Sequence, residues 1–82
     1  MRMNDINDYY KTSDLSLAAT ICLYFPLEAI DKTNPNKAIF LFKKVDELDE
    51  LTAAYWRQEL KVIPQAYFNQ LKILKTRLYS GD

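Results

Sequence analysis

The C-terminal third of the chain carries positive charge beside aromatic rings and almost no acid. From residue 61 to residue 81 the charged side chains are all basic, namely Lys61, Lys72, Lys75 and Arg77. Two of these lysines and two aromatic residues have the spacing i, i+4, i+7, i+11, which places them on one side of a helix: Phe68, Lys72, Lys75 and Tyr79. Such a stripe could contact phosphates and stack on bases, although it is also typical of the solvated edge of a packed helix.

The residue types that most catalytic sites require are missing. The chain has no histidine, one cysteine and one glycine. These counts exclude Ser-His-Asp and Cys-His arrangements, CxxC motifs, glycine-rich phosphate loops and most metal sites. One acidic cluster could ligate a hard cation, but its place at a predicted helix start favours solvated capping: Asp46, Glu47, Asp49 and Glu50. We therefore expect no enzyme activity, no cofactor and no metal.

Length and composition predict one small folded domain over residues 1–82, with residues 1–7 as a loose N-terminal tail. Aromatic residues make up 13% of the chain, enough to favour folding over disorder. The 11 basic and 11 acidic residues give a net charge of zero. A charged partner would therefore have to bind one face of the protein, where charge of one sign is concentrated. Cys22 alone cannot form an internal disulfide, and no apolar run approaches the roughly 20 residues that span a bilayer. We expect a cytoplasmic protein without membrane contact.

The first half of the chain reads as three strands and one helix. Residues 8–12 have the aromatic β character of an edge strand, and Ser13 or Asp14 can cap a helix over 14–24. Its apolar residues occupy most of its circumference, which predicts burial on two sides. Residues 27–32 and 37–44 read as strands, and the second is apolar on both faces, as expected of a central strand.

Two helices are predicted in the second half. The first begins at Asp46 and has Tyr55 and Trp56 on its inner face, although as adjacent residues one ring of this pair could face the core and the other the rim. The second covers 64–79. The fold class is then α+β, with a small antiparallel sheet of about three strands, one buried N-terminal helix and two C-terminal helices. The predicted core consists of Leu15, Ala18, Cys22, Phe40, Tyr55, Leu71, Leu74 and Leu78.

Four segments, taken in order, carry a family resemblance: residues 9–19, Phe40-Leu41-Phe42, Tyr55-Trp56, and Ala66-Tyr67-Phe68 with the Leu-Lys pairs that follow. Together they resemble an uncharacterised family of short prokaryotic and viral single-domain proteins, known only as a domain of unknown function. The resemblance implies mobile-element or phage settings and no particular activity. It also implies a glycine after the first helix, where this chain has Tyr24-Phe25-Pro26.

These observations predict a small non-enzymatic binding module, an accessory protein that contacts nucleic acid through its basic C-terminal helix. The predicted phosphate contacts are Lys61, Lys72, Lys75 and Arg77, and Tyr79 is the stacking candidate. The alternative is a protein-interaction module, such as an adaptor or a phage-type inhibitor of a larger complex, that uses an apolar sheet face or an edge strand. The apolar strand over 39–42 leaves a homodimer open as well.

Overall fold

Three antiparallel strands and three helices make up residues 8–80, the part of the chain that the computed structural model describes. In chain order they are β1 (Tyr9–Thr12), α1 (Leu15–Ile21), β2 (Leu27–Asp31), β3 (Ile39–Lys43), α2 (Asp46–Trp56) and α3 (Pro64–Ser80). The α+β prediction is confirmed, with one N-terminal and two C-terminal helices. The predicted loose tail lies outside the described residues.

The sheet has the strand order β1-β3-β2, so the strand that is apolar on both faces is the central one, as predicted. Phe42 lies opposite Tyr10 on β1 and Leu27 on β2, and this face packs against the helices. Leu41 lies opposite Lys11 and Ala29 on the other face, and none of these three belongs to the core. The helices therefore cover one face of the sheet.

Helix α1 begins at an aspartate cap. Asp14 Oδ1 accepts hydrogen bonds from the backbone N–H groups of Ser16 (3.0 Å) and Leu17 (3.2 Å), so Asp14, of the two predicted candidates, fills this role. The helix ends at Ile21, earlier than predicted, because i→i+3 bonds tighten the chain over the next residues. This turn needs no positive φ, so it forms without the glycine that the family resemblance implied.

Helix α1 packs between α2 and α3, on the inner face of the sheet. All five of its residues from Leu17 to Ile21 are buried, which confirms the prediction of burial on two sides. Every residue of the predicted core is buried or packs against the buried cluster. Trp56 is different: its side chain is 63% exposed, so the prediction that it faces inward is wrong. Tyr55 takes the inward position at the end of α2, and the indole ring packs edge-on against it.

Candidate functional site

The exposed side of α3 carries the predicted stripe of rings and lysines. Phe68 is 56% and Tyr79 85% exposed, and Lys72 and Lys75 lie between them, also exposed. The core residues of the helix, with Leu74 at their centre, face α1. Because α3 contains no acidic residue, this side of the helix is uniformly basic.

No ion pair neutralises the two lysines within residues 8–80. The one ion pair in that part of the chain joins Arg57 Nε to Glu59 Oε1 at 3.1 Å, on the connection between α2 and α3. Lys72 and Lys75 are three residues apart, so their ammonium groups can reach the same short stretch of a polyanion. We define these two residues with Phe68 and Tyr79 as the α3 stripe.

The structure separates the other two predicted phosphate contacts from the α3 stripe. Lys61 is exposed on the α2–α3 connection, close in sequence to the start of α3. Arg77 is half-buried on the opposite flank of α3, where its charge acts on the thiol of Cys22. The predicted phosphate contact of Arg77 stays a prediction, on a different side of the helix from Lys72 and Lys75.

The β2–β3 connection adds basic residues at the C-terminal end of the α3 stripe. Lys32 Nζ donates a 2.8 Å hydrogen bond to the backbone oxygen of Arg77, where a cation suits the negative end of the helix dipole. Lys37 is exposed and lines a shallow hollow of about 450 Å³ together with Tyr79. Sequence analysis did not predict a role for Lys37, because Lys37 and Tyr79 are far apart in sequence and only the fold brings them to the same hollow.

A larger cleft, of about 560 Å³, lies between α1, the end of α2, the α2–α3 connection and the start of α3. Its mostly apolar lining residues are Trp56, Leu60, Val62 and Tyr67, and we call them the outer part because Trp56 and Val62 are exposed. Ser16, Thr20 and Tyr55 line it with hydroxyl groups, and we call them the inner part because Thr20 is buried. We call it the Trp56 cleft. Sequence analysis did not predict it, because its residues come from separate elements and share no periodic pattern.

A tight turn after α2 shapes one side of the Trp56 cleft. Glu59 N–H donates to Ala54 O and Gln58 N–H donates to Tyr55 O, both at 3.0 Å, which is the pattern of a Schellman motif. Gln58 has a φ of 61°, the one positive value for a non-glycine residue between residues 8 and 80. Glycine usually fills this position, so the glutamine holds the chain in a backbone conformation that its Cβ disfavours.

The hydroxyl groups inside the cleft have their protons committed to hydrogen bonds within the protein. Ser16 Oγ donates to Asp14 Oδ1 at 2.9 Å, and Thr20 Oγ1 donates to the backbone oxygen of Ser16 at 2.9 Å. Tyr55 Oη lies 3.0 Å from Ser16 Oγ. Because the single proton of Ser16 points to Asp14, Tyr55 must be the donor in this pair. The inner part of the cleft therefore offers acceptors and no spare hydroxyl donor.

Among residues 8–80, three groups have a shifted pKa, and each shift has a structural cause. Burial raises the pKa of the Cys22 thiol, and the charge of Arg77 opposes this in part. Burial also raises the pKa of Tyr10, with further contributions from Asp14 and Asp49. Hydrogen bonds from Thr33 lower the pKa of Asp31. The raised thiol pKa fits a half-buried cysteine with little thiolate at neutral pH.

Within residues 8–80 no three histidine, cysteine, aspartate or glutamate side chains come together as a metal site. None of the helices there has the length and apolar character to cross a bilayer.

Comparison with known proteins gives a family and no activity. No curated protein and no solved structure matches the chain. The family model of a domain of unknown function, DUF5659, matches residues 7–80 and so includes β1, the Trp56 cleft and all of α3. The chain belongs to the DUF5659 family.

Proposed function

We propose that this protein is a small accessory binding module that contacts single-stranded nucleic acid along the α3 stripe. The observation that carries the proposal is the combination of two unpaired lysines and two largely exposed rings on one acid-free helix side, within the described residues. Lysines at this spacing bind successive phosphates, and exposed rings stack on bases that are free of a duplex.

Two features of the molecule support a local interface rather than a general charge effect. The whole chain has no net charge, so it does not attract nucleic acid from all sides. The acidic residues of α2 lie in its first turn, and α3 contains none, so the basic charge of α3 is not offset on its own helix. Lys61 at one end and Lys37 at the other extend the basic surface beyond the α3 stripe.

The direct test is a titration of labelled short DNA and RNA, single- and double-stranded, across a salt series. With three or four phosphate contacts, the logarithm of the binding constant should fall with the logarithm of salt concentration by a slope of about −2 to −4. Single strands should bind more tightly than duplexes, because Tyr79 can stack on a free base. An absence of binding to every probe at low salt would contradict the proposal.

Two double variants with the same change in charge distinguish the effect of the α3 stripe on binding from the effect of the net charge of the protein. Lys72→Glu with Lys75→Glu should abolish binding and leave the fold intact, since exposed charges contribute little to stability. Lys43→Glu with Lys44→Glu makes the same charge change at exposed positions at the end of β3. This control should retain most of the affinity. Equal losses in the two variants would mean that net charge, and not the α3 stripe, determines binding.

A protein-interaction module is the second candidate. The observation that favours it is the exposure of apolar side chains around the α2–α3 connection, where Trp56 is 63% and Ile63 67% exposed. The uncovered sheet face with Ile39 and Leu41 is a further candidate surface, for a partner or for a second copy of the chain. Apolar binding of this kind would depend weakly on salt, and sedimentation would decide the homodimer.

A further inference from the structure

We infer that the Trp56 cleft binds one nucleobase with an exocyclic amine, from the same single strand that the α3 stripe contacts. This inference rests on the proposed function, because the strand must first lie along α3. It adds a base-selective site to the α3 stripe, which otherwise binds phosphates and stacks on bases without distinguishing one base from another.

The three hydroxyl groups of Ser16, Thr20 and Tyr55 favour a donor on the ligand, whereas Gln58, Trp56 and Tyr67 line the same cleft with N–H and O–H groups of their own. Ser16 and Thr20 have given their protons to Asp14 Oδ1 and to the Ser16 backbone oxygen, and Tyr55 gives its proton to Ser16. Tyr55 Oη keeps a lone pair that can accept a hydrogen bond. The charged Asp14 at the end of this chain polarises it and strengthens Tyr55 as an acceptor. Adenine, cytosine and guanine carry an exocyclic amine that projects from the ring and can donate here, whereas the N3–H donor of thymine and uracil lies between two carbonyl oxygens, which an acceptor such as Tyr55 Oη repels.

The outer part of the cleft suits a flat ring. The Trp56 ring is held edge-on by Tyr55, with centroids 5.0 Å apart and planes at 89°, and it remains 63% exposed. Val62 and Tyr67 add apolar surface to the same cleft. Its volume of about 560 Å³ lies within the range of small-ligand sites. A base that stacks on Trp56 can therefore direct its amine toward Tyr55.

The cleft is continuous with the α3 stripe. Tyr67 lines the cleft, and its ring centroid is 5.7 Å from that of Phe68, the first residue of the stripe. Lys72 follows Phe68 by one helical turn. Lys61 lies between two cleft residues, Leu60 and Val62, and provides a cation near the cleft for the phosphate of the bound nucleotide.

Trp56 is the one tryptophan of the chain, so its fluorescence reports on the cleft directly. The full chain is titrated with single-stranded oligo-dA, oligo-dC and oligo-dT of about eight nucleotides, a length typical of one binding site. We expect oligo-dA and oligo-dC to quench the fluorescence and to bind more tightly than oligo-dT. Trp56→Leu should weaken binding about fivefold to a hundredfold, as expected for the loss of one stacked base.

Tyr55→Phe isolates the hydrogen bond. It should weaken oligo-dA and oligo-dC binding about threefold to tenfold and leave oligo-dT unchanged, which removes the preference among bases. Tyr24→Phe makes the same chemical change at a half-exposed tyrosine after α1, and should change neither the affinity nor the preference. Thermal unfolding of each variant, compared at equal folded fraction, excludes a loss of fold as the cause.

The outcomes distinguish this inference from the proposed function. One outcome is that the parent protein binds the oligonucleotides and the Lys72→Glu and Lys75→Glu variant does not, while binding leaves Trp56 fluorescence unchanged and Tyr55→Phe leaves the affinity unchanged. This outcome overturns the cleft inference and keeps the α3 contact. Equal affinity for all three oligonucleotides in the parent protein also overturns it. If none of the oligonucleotides binds at low salt, the cleft inference and the proposed nucleic-acid function are both wrong. A peptide that quenches Trp56 fluorescence would then indicate that the cleft binds a protein partner.

Discussion

Adjacent side chains on the helices of this protein differ in burial, and therefore in whether they pack in the core or are available for binding. Leu74 is 1% exposed at the centre of the α3–α1 contact, whereas its neighbour Ile73 is 50% exposed on the same helix. Tyr55 and Trp56 differ in a similar way: Tyr55 packs against the core and lines the cleft, whereas Trp56 lines the cleft and is largely exposed. A step of one residue on a helix turns a side chain by more than a quarter of a circle, which is why adjacent residues can serve packing and binding separately.

The burial of Leu74 sets a test of the α3 register. Leu74→Ala removes a buried side chain and should lower the free energy of unfolding by about 2–5 kcal/mol. Ile73→Ala is the matched control, because it truncates an apolar side chain of the same helix at an exposed position, and should change stability by about 0.5 kcal/mol or less. Urea unfolding measures both. Equal effects of the two substitutions would contradict the observed orientation of α3.

The elements show which parts of the fold could be predicted from sequence. The stripe on α3 and the two-sided burial of α1 were predicted because hydrophobic periodicity directly reports which side of an element is buried. The end of α1 was not predicted, because local i→i+3 hydrogen bonds end the helix without a change in the apolar pattern. The orientation of Trp56 was not predicted either, because it depends on how the helices pack together. The Trp56 cleft needs α1, α2 and α3 in their final positions, and no local pattern encodes that arrangement.

The turn after α2 offers a test at the scale of elements. Gln58 has a φ of 61°, in the left-handed region where a Cβ is costly. Gln58→Gly should therefore stabilise the fold by up to about 1 kcal/mol, the gain being reduced by the greater freedom of glycine in the unfolded chain. Gln58→Ala keeps the Cβ and should remain within about 0.5 kcal/mol of the parent. A glycine variant no more stable than the alanine variant would argue against the Schellman geometry.

The two C-terminal helices of the molecule differ in charge. Acidic residues occupy the first turn of α2, where they suit the positive end of the helix dipole, and α3 contains no acidic residue. The sheet contributes Phe40 and Phe42 to the core and leaves its second face uncovered by the helices. In so small a domain, most of the chain is needed for a single core, and function is confined to its surface.

This division of roles predicts that nucleic acid stabilises the folded chain through contacts that require the exposed lysines of α3. We expect the parent protein to unfold in one urea transition with a free energy of about 5 kcal/mol, as is typical for a core of this size. A single-stranded oligonucleotide at about 100 times its dissociation constant should add about 2.7 kcal/mol, because it binds the folded chain alone. The Lys72→Glu and Lys75→Glu variant should match the parent without oligonucleotide and gain nothing with it. If the oligonucleotide stabilises both proteins equally, it binds elsewhere on the fold, and the α3 stripe is not the interface.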